Sequence, residues 1–364
     1  MANLVLYRKY RPQKFSDVVG QEHITRTLAN AISMNEAAHA YLFAGPRGTG
    51  KTTLARLLAK SLNCEGRKKG SYEPCLKCLS CDEVSRNISP DIIEIDAASN
   101  RGIDEIRLLK EAVRFAPTRG EYKVYIVDEV HMLTKEAFNA LLKTLEEPPS
   151  HVIFVMATTE INKVLPTIIS RSQRFDFRRL RHSEIRDRLA YLAKCEAKKI
   201  DPKILDMIAA RSDGCARDAE SLLGQIFVVG DGLNLDEIRS LLGLTDIQAI
   251  SEFIGHIAAG SRKEALTHLS ALGEKGVDCE EFIKSLLGYL RWMMYLKVDE
   301  KLSDIVSREI SEEDLAVIKA MTQKFEMHKL QQASRLFLEA MQNIKYSPIP
   351  ELPIELAVVE LLGS

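Results

Sequence analysis

A glycine-rich run at residues 41–53, YLFAGPRGTGKTT, has the composition of a phosphate-binding loop. It fits the pattern G-x-x-x-x-G-K-[ST] and lies between an apolar run and a helical pattern, which is the context that this motif requires. Its glycines let the backbone turn tightly and bring N–H groups close to phosphate oxygens. Lys51 is expected to reach the outer phosphates and the Thr52 hydroxyl to hold Mg²⁺, although a chance match to a loose pattern is the alternative. The predicted nucleotide-binding residues of the loop are Gly45, Gly48, Gly50, Lys51, Thr52 and Thr53.

Two carboxylates follow the apolar run KVYIV at residues 123–127. Asp128 is suited to hold the Mg²⁺ of a nucleotide bound at the first loop, as acidic residues at the carboxyl ends of parallel strands do. Glu129 is suited to polarise an attacking water, because general-base catalysis needs a carboxylate near the γ-phosphate. Taken alone, the pattern also fits a strand followed by a solvated acidic turn. Paired with the phosphate loop, the acidic pair favours a Mg²⁺–nucleotide site over the solvated turn.

Four cysteines lie in one short segment with the spacing C-x10-C-x2-C-x2-C. Four thiolates suit a closed, tetrahedral zinc site. The set contains no histidine or carboxylate ligand, which a hydrolytic zinc site would be expected to have. The alternatives are free buried cysteines or an iron–sulfur cluster. The remaining cysteines, Cys195, Cys215 and Cys279, are isolated and are expected to be small core residues. The predicted zinc ligands are Cys64, Cys75, Cys78 and Cys81, and mild chelation is expected to leave ATP binding intact.

The composition is that of an ordinary globular protein of 364 residues, with 46% apolar and 28% charged residues, which is enough for two or three domains. Its formal net charge of −1 means that any DNA contact must use a local patch. Ser99, Asn100 and Gly102 before the next helix fit ordinary capping chemistry, and their exposed N–H groups, with Arg101, are alternatively candidates for holding a DNA phosphate. No apolar run approaches the roughly 18 residues of a membrane span, and the N-terminus lacks the features of a secretory signal. We therefore expect a cytoplasmic protein.

The elements that position these residues follow from the alternation of apolar runs with helical patterns. This alternation predicts a parallel, three-layer α/β domain, with its ligand at the carboxyl ends of the strands. Thr158 and Thr159, which end the fourth run, are expected near the γ-phosphate. The predicted strands are residues 41–44, 91–96, 123–127, 152–157 and 175–177, and the predicted helices in this half include residues 22–34, 103–115 and 135–147.

Helical periodicity dominates from residue 179 onward, and no strong strand pattern recurs. At the other end of the chain, the basic, proline-containing arm RKYRPQKF precedes the first long helix. This arm is either an ordinary lead-in with a turn or a backbone segment that packs against an adenine base. The helices predicted after residue 179 include residues 183–197, 201–211, 219–228, 235–242, 282–296 and 330–344.

The motifs occur in an order that resembles a known family. RKYRPQKFSDVVGQEH, AHAYLFAGPRGTGKTT, the four-cysteine insert, DIIEIDAAS, VYIVDEVHML, FNALLKTLEEPP, ATTE and SRS follow one another along the chain. Together they resemble the gamma/tau family of ATPase subunits of the bacterial DNA polymerase III clamp loader, which are AAA+ proteins. The resemblance covers the whole length, and the combination of motifs is specific.

The resemblance assigns catalytic roles residue by residue. The phosphate loop and the acidic pair match the family's Mg²⁺–ATP site. Thr159 resembles the sensor-1 residue, although Thr158 beside it fits the same pattern. Arg171 resembles the arginine finger that reaches the ATP of a neighbouring subunit, and the sequence has Ser172 where the family usually has cysteine. Arg217 resembles sensor 2, which contacts the γ-phosphate of its own subunit. Without the family match, the favoured interpretation of Arg171 is a solvated charge on a loop, and that of Arg217 is a member of a surface ion pair.

The resemblance also implies contacts outside the catalytic centre. Arg11, Pro12 and Val19 resemble the family's contacts to the adenine base. Arg101 and Lys143 are candidates for contacts to primer–template DNA, because the corresponding positions of the family face the interior of a ring. The implied cofactors are ATP, Mg²⁺ and a structural Zn²⁺.

The implied architecture is an AAA+ nucleotide-binding domain at residues 1–178 with a zinc module at about 64–81, a helical lid at 179–242 and an all-α collar for oligomerisation at 243–364. The implied function is that of an ATP-driven motor in DNA replication, which opens a sliding clamp and loads it onto primed DNA as part of the DNA-directed DNA polymerase (nucleotidyltransferase) holoenzyme. Its expected partners are the other subunits of a ring, by resemblance a pentamer, the clamp and the DNA. The longer tau form of the family has an added tail, which is expected to be absent from these 364 residues, either because they are the natural short form or because they are a truncated tau.

Two other functions compete with the motor. One is a nucleotide-dependent scaffold that binds DNA and partners without useful turnover; the acidic pair and Arg171 favour the motor, because a scaffold needs neither a base nor an arginine finger. The other is an AAA+ branch-migration helicase, against which the four-cysteine insert and the helical C-terminal half argue.

Overall fold

The structure is a computed structural model that describes residues 5–229, 238, 247–274, 276–307, 310 and 312–363. The contacts between backbone positions divide the chain into two compact units, Met1–Val228 and Val229–Ser364. Each unit has its own hydrophobic core.

The first unit is built on a five-stranded sheet in which every neighbouring pair is parallel. The strand order is β2-β3-β4-β1-β5, so the first strand lies beside the fourth and the fifth. The predicted α/β class is therefore confirmed, with strand boundaries that differ by one or two residues from those expected. The strands are β1 Ala40–Ala44, β2 Ile92–Asp96, β3 Lys123–Asp128, β4 Val152–Thr158 and β5 Gln173–Asp176.

The register of the sheet brings the carboxyl ends of the central strands to one edge. Ala44 at the end of β1 pairs with Thr158 at the end of β4, and Asp128 at the end of β3 pairs with Asp96 at the end of β2. Residues that follow these strands therefore lie close together even where they are distant in sequence, which is the usual position of a ligand in this class of fold.

Both faces of the sheet are covered, as expected for parallel strands. Side chains alternate between the faces along each strand, so Tyr41 and Phe43 of β1 belong to one core cluster and Leu42 to the other. The cluster around Tyr41 is completed by apolar residues of the helices on that side, such as Leu28 and Leu58. The helices of this part are α1 Leu6–Lys9, α2 Glu22–Met34, α3 Lys51–Leu62, α4 Leu79–Arg86, α5 Ile103–Ala112, α6 Lys135–Glu146 and α7 Pro166–Ile169.

Three helices complete the first unit after the sheet: α8 His182–Cys195, α9 Pro202–Arg211 and α10 Ala216–Val229. The helix predicted at residues 235–242 lies outside the described residues. One core prediction is wrong, because Cys195 is exposed. The buried stripe of α8 runs through Ile185, Leu189 and Leu192, and at about 100° per residue Cys195 points away from it. Cys215 is buried and Cys279 is half-buried.

All regular secondary structure in the described part of the second unit is helical, as predicted. Its core is formed around the long helix α13, whose Phe282, Leu286 and Tyr289 are fully buried. None of the helices in the described part of the chain has the length and hydropathy needed to cross a membrane. The helices are α11 Ile247–Ala258, α12 Arg262–Glu274, α13 Cys279–Val298, α14 Ser303–Val306, α15 Glu312–Gln323, α16 Met327–Ile344 and α17 Leu352–Leu361.

Candidate nucleotide-binding and hydrolysis site

The glycine-rich loop connects β1 to α3, as its motif requires. Gly50 is the residue before α3 and has a φ of 101°, which an L side chain rarely adopts. Gly48 has a φ of 72°, and a Cβ there would collide with the sulfur of Cys215 at the start of α10. The N–H of Ala216 donates to the Gly48 carbonyl at 3.2 Å. The loop is thus packed directly against the helix that carries Arg217.

Lys51 is almost completely buried, with 6% of its surface exposed. Its Nζ donates to the carbonyls of Gly45 and Pro46, at 2.7 Å and 2.8 Å, within its own loop. Burial lowers the pKa of the Lys51 ammonium, and the nearby carboxylates of Glu129 and Asp128 oppose that effect. The ammonium is therefore positioned in the concavity of the loop by acceptors on the backbone.

Thr52 and Asp128 meet across the sheet edge, since the Thr52 Oγ1 donates to the Asp128 Oδ2 at 2.7 Å. One residue lies in the first turn of α3 and the other ends β3. A hydroxyl and a carboxylate are oxygen ligands of the kind that Mg²⁺ prefers, so this pair fits the ion that the motif implies. Thr53 follows in the same turn and is half-buried.

Glu129 occupies an uncommon backbone conformation and is held by a partner that directly follows β4. Its φ is 47° and its ψ is 45°, in the left-handed region that non-glycine residues seldom adopt. Its Oε2 accepts from the Thr159 Oγ1 at 2.9 Å and from the Thr159 N–H at 3.2 Å. Thr158, in contrast, is fully buried and does not contact Glu129 among the hydrogen bonds described. The geometry therefore distinguishes two threonines that the sequence left equivalent.

Sequence reasoning missed His131, which lies within the same cluster. Its side chain is 5% exposed, and its Nδ1 lies 3.0 Å from the Thr158 Oγ1 and 3.4 Å from the Glu129 Oε2. Its Nε2 lies 3.3 Å from the Glu160 Oε1. The sequence shows only that a histidine follows the acidic pair; the 3₁₀ turn Val130–Met132, which directs the ring back toward β4, is visible only in the structure.

The predicted adenine-side residues Arg11, Pro12 and Val19 are half-buried and lie on the arm before α2. Gln21, which the sequence analysis did not single out, anchors the end of this arm. It is fully buried, and its Nε2 donates to the carbonyl of Arg178 at 2.8 Å. This hydrogen bond fixes the arm beside the segment that follows β5.

The two predicted arginines have different surroundings. Arg217 lies in the first turn of α10, and its guanidinium stands over the ring of Tyr7 at 4.9 Å from the centroid. Arg171 follows α7 and pairs with Glu146 at the end of α6, at 2.7 Å. Tyr7 had not been predicted, because a stacking contact between α1 and a helix 210 residues later has no local sequence signal.

The four predicted zinc ligands converge. The sulfur atoms of Cys64, Cys75, Cys78 and Cys81 lie within 4.8 Å of one another, and a tetrahedral zinc with Zn–S bonds of about 2.3 Å needs sulfurs about 3.8 Å apart. The N–H of Lys77 donates to the Cys75 sulfur and lowers the pKa of that thiol to about 6, whereas burial raises the pKa of Cys81. The set fits one zinc ion.

The candidate DNA contacts Arg101 and Lys143 are both exposed. Arg101 Nε donates to the carbonyl of Ala98 at 2.9 Å. The backbone N–H groups of residues 98–100, expected to be available for a phosphate, instead donate to Asp96. For residues 98–100 the expectation is wrong because Asp96 closes the turn locally; the Arg101 side chain and the Gly102 N–H stay predicted phosphate contacts.

A parallel sheet of this order, with a phosphate loop after β1 and an acidic pair after β3, defines the class: the first unit has the P-loop fold of the AAA+ ATPases. Family models match two parts of the chain, described as "DNA polymerase III, delta subunit" over residues 20–181 and "DNA polymerase III subunits gamma and tau domain III" over residues 233–364. The chain belongs to the gamma/tau family of DNA polymerase III subunits.

The relatives agree with this assignment. The chain is 41% identical to DNA polymerase III subunit tau of Bacillus subtilis over 99% of its own length, but spans only 63% of that protein. It is 33% identical to DNA polymerase III subunit gamma of Buchnera aphidicola from Acyrthosiphon pisum, over 99% of both chains. Among solved structures, the RuvB Holliday junction branch migration motor of Thermotoga maritima is 20% identical, with a TM-score of 0.47 over 68% of this chain and 78% of that chain. At that level the likeness carries no argument about function.

Proposed function

We propose that this chain is an ATP-hydrolysing motor subunit of a bacterial clamp loader, which opens a sliding clamp and places it on primed DNA for the DNA polymerase III holoenzyme. Membership of the gamma/tau family supports a role in DNA replication. The main support for ATP hydrolysis, rather than nucleotide binding alone, is the position of Glu129. Its carboxylate is held by Thr159 next to the Thr52–Asp128 pair. A nucleotide-binding scaffold would not need a fixed carboxylate at this point.

The residues divide the chemistry among themselves. Lys51 and the N–H groups of the loop bind the phosphates, and Thr52 and Asp128 hold Mg²⁺, which neutralises charge on the phosphate oxygens. Glu129 accepts the proton of the attacking water. Thr159 fixes the orientation of that carboxylate. Gly45, Gly48, Gly50 and Thr53 complete the phosphate cradle, and Arg11, Pro12 and Val19 contact the adenine base.

Two arginines link hydrolysis to the assembly. Arg217 contacts the γ-phosphate from the helical part of its own subunit. Arg171 reaches the nucleotide of a neighbouring subunit, since its side chain is 35% exposed on the loop after α7 and the phosphates of its own site already have Lys51 and Arg217. An arginine supplied by a neighbour makes ATP turnover depend on a completed ring.

The proposed architecture follows the family. Residues 1–178 form the nucleotide-binding domain, 179–242 a lid and 243–364 a collar through which subunits assemble into a pentameric ring in the cytoplasm. Arg101 and Lys143 contact the DNA backbone inside that ring. The cysteines hold a structural zinc, because four thiolates leave no open coordination position.

Transfer of a labelled sliding clamp onto nicked circular DNA tests the proposal. The chain is assembled with its partner subunits and given ATP or a non-hydrolysable analogue. We expect both nucleotides to support clamp binding, but only ATP to release the loader from a clamp left on the DNA. Equal release with the analogue would favour the scaffold and overturn the motor.

A further inference from the structure

The segment with the predicted adenine contacts is bonded to the segment with the four cysteines. We call residues 11–19 the base arm and residues 64–86, which include α4, the zinc insert. The two segments are about fifty residues apart in sequence, yet the zinc insert contacts the base arm at three positions. No local pattern predicts these contacts.

The first contact is a carboxylate that caps the base arm. Glu73 accepts the N–H of Phe15 on its Oε2 and the N–H of Ser16 on its Oε1, both at 2.9 Å. These two N–H groups begin the 3₁₀ turn Phe15–Asp17 and have no partner within that turn. Hydrogen bonds to a carboxylate are roughly twice as strong as neutral ones, so Glu73 fixes the path of the backbone here.

The second contact is apolar and lies beside the first. The rings of Tyr72 and Phe15 meet edge to face, with centroids 6.0 Å apart, and Phe15 is only 3% exposed. The carbonyl of Tyr72 accepts from the Ser61 Oγ at 2.6 Å, which ties this part of the zinc insert to α3. Two consecutive residues of the insert therefore hold the same turn of the base arm.

The third contact passes through Gln13 to the predicted base-contacting residue Arg11. Lys60 is 3% exposed and donates to both the Gln13 Oε1 and the Ser85 Oγ of α4. The Ser85 Oγ lies 3.2 Å from the same Gln13 oxygen. On its other side, the Gln13 Nε2 donates to the Arg11 carbonyl at 2.9 Å. Through Gln13, the position of α4 therefore constrains the backbone of Arg11.

The other end of the arm is held by α8. The Arg188 Nη2 donates to the Tyr10 carbonyl at 2.6 Å, and Lys9 pairs with Glu196 at 2.6 Å. Arg11 and Pro12 therefore lie between one anchor on α8 and another on the zinc insert. Release of either anchor would free the backbone that presents them.

We propose that the zinc insert sets the affinity for nucleotide by holding the base arm, so that Glu73 is a positioning residue for the adenine base and loss of zinc weakens ATP binding. The proposal rests on the proposed function, because it takes the base arm as the adenine contact. Glu73 precedes the ligand Cys75 by two residues, and a small cysteine-bound segment of this kind depends on its metal for a fixed fold. The expectation from sequence, that mild chelation leaves ATP binding intact, stays the opposing prediction against which this proposal is tested.

The test measures binding of ATP and of inorganic tripolyphosphate to the full chain by calorimetry, together with zinc content. For Glu73→Ala we expect about one zinc per chain and an ATP affinity at least about 5-fold weaker, at the lower end of typical coupling between sites. Tripolyphosphate has no adenine base, so Glu73→Ala should bind it with the same affinity as the wild type does. Chelation of the wild type should weaken ATP binding in the same way and speed amide exchange at Phe15 and Ser16.

The matched control is Glu83→Ala, because Glu83 also lies on the zinc insert but pairs with Arg119, outside the base arm. It should bind ATP as the wild type does. Glu73→Gln keeps one acceptor oxygen and should have an intermediate effect, so it replaces Glu73→Ala if that variant fails to fold. Chelation of the Glu73→Ala protein should cause a smaller loss of ATP affinity than chelation of the wild type, since the Glu73 contact is already absent and only the contacts of Tyr72 and Ser85 are left to lose.

Three results would overturn the inference. Unchanged ATP affinity in Glu73→Ala, with ATP binding still abolished in Lys51→Ala, would refute the coupling and leave the proposed function intact. An equal loss of affinity for ATP and for tripolyphosphate would mean that Glu73→Ala disturbs phosphate binding as well, and not specifically the contact to the adenine base. Absence of ATP binding by the zinc-loaded wild type would overturn the proposed function and, with it, this inference.

Discussion

At the scale of single residues, the proposed chemistry depends on how the Glu129 carboxylate is held. Its backbone is in the left-handed region, and Thr159 is the partner that fixes its Oε2 through both a hydroxyl and an N–H. A carboxylate fixed in advance loses less entropy when it meets the water it activates. The neighbouring Thr158 has the same chemistry but faces His131.

Replacement of each threonine by valine separates these two roles. Thr159→Val removes a hydrogen bond to a charged group, worth about 1.5–3 kcal/mol, so we expect turnover to fall by about 10- to 100-fold with little change in ATP affinity. Thr158→Val is the matched control, and its turnover should stay within a few-fold of the wild type. Steady-state hydrolysis and equilibrium ATP binding measure both quantities. A larger loss of turnover in Thr158→Val would reverse the assignment.

At the scale of elements, the site exists because parallel strands end together. The phosphate loop, the acidic pair and Thr159 follow β1, β3 and β4, and the register places those ends at one edge. The segment that enters β3 is itself held by a buried carboxylate. Asp91, 3% exposed, accepts from the N–H groups of Thr118, Arg119 and Gly120, which closes the turn before the strand.

The Asp91 contact predicts a pH dependence of stability. Burial alone would raise the pKa of Asp91, but the three N–H donors outweigh it and the pKa is lowered. Because the folded pKa lies below the unfolded value of about 3.9, the stabilisation is fully present above that value and is lost as the pH falls through the folded pKa. We expect Asp91→Asn to cost about 2 kcal/mol at pH 7 and progressively less below about pH 4.

Urea unfolding at a series of pH values measures this difference. Asp187→Ala is the control, because Asp187 is an exposed residue in a surface ion pair and should change stability by no more than about 0.5 kcal/mol. A cost for Asp91→Asn that does not vary between pH 7 and pH 3 would show that the charge of Asp91 contributes nothing.

Much of this fold was predictable because its signals are local. The strands, α2 and the phosphate loop follow from short apolar runs, helical periodicity and a motif, and the predicted bounds of α2 at residues 22–34 are those observed. The cysteine cluster was predictable because its spacing is short. Contacts such as that of Glu73 with the base arm, or of Tyr7 with Arg217, were not, because they join residues that only the packed fold brings together.

At the scale of the whole molecule, a net charge of −1 means that the proposed DNA binding would rely on a few exposed basic side chains. We predict that Arg101→Ala combined with Lys143→Ala lowers the dependence of DNA affinity on salt, by about 0.9 in the log–log slope for each phosphate that the protein no longer neutralises. Affinity should not depend on base sequence, because phosphate contacts carry none of that information. ATP-dependent binding of primed DNA by the assembled ring at several salt concentrations measures the slope.

Lys324→Ala, which removes an exposed charge from the helical second unit, is the control for the DNA prediction and should leave the slope unchanged. An unchanged slope in the Arg101, Lys143 double variant would place the DNA contacts elsewhere.

Arg171 is predicted to act on the nucleotide of a neighbouring subunit. Arg171→Ala should leave ATP affinity of the isolated chain intact and abolish the stimulation of hydrolysis by assembly, since such an arginine is worth about 10³–10⁵ in rate. Rings that combine two variants test whether Arg171 acts on the nucleotide of its own subunit or of the neighbouring one. Where an Arg171→Ala subunit faces only a Lys51→Ala site, activity should fall no further than with Lys51→Ala alone. Additive losses in that arrangement would mean that Arg171 serves its own subunit.

The central claim is that Glu129 drives an ATP hydrolysis that assembly switches on. The most direct measurement is the steady-state ATPase rate of the chain alone, and then with its partner subunits, the clamp and primed DNA, for the wild type and for Glu129→Gln. We predict that the wild-type rate rises on assembly, and that Glu129→Gln binds ATP normally but turns it over about 10²–10⁴-fold more slowly. A Glu129→Gln complex that hydrolyses ATP at the wild-type rate, or a wild-type rate that does not respond to assembly, would contradict the claim.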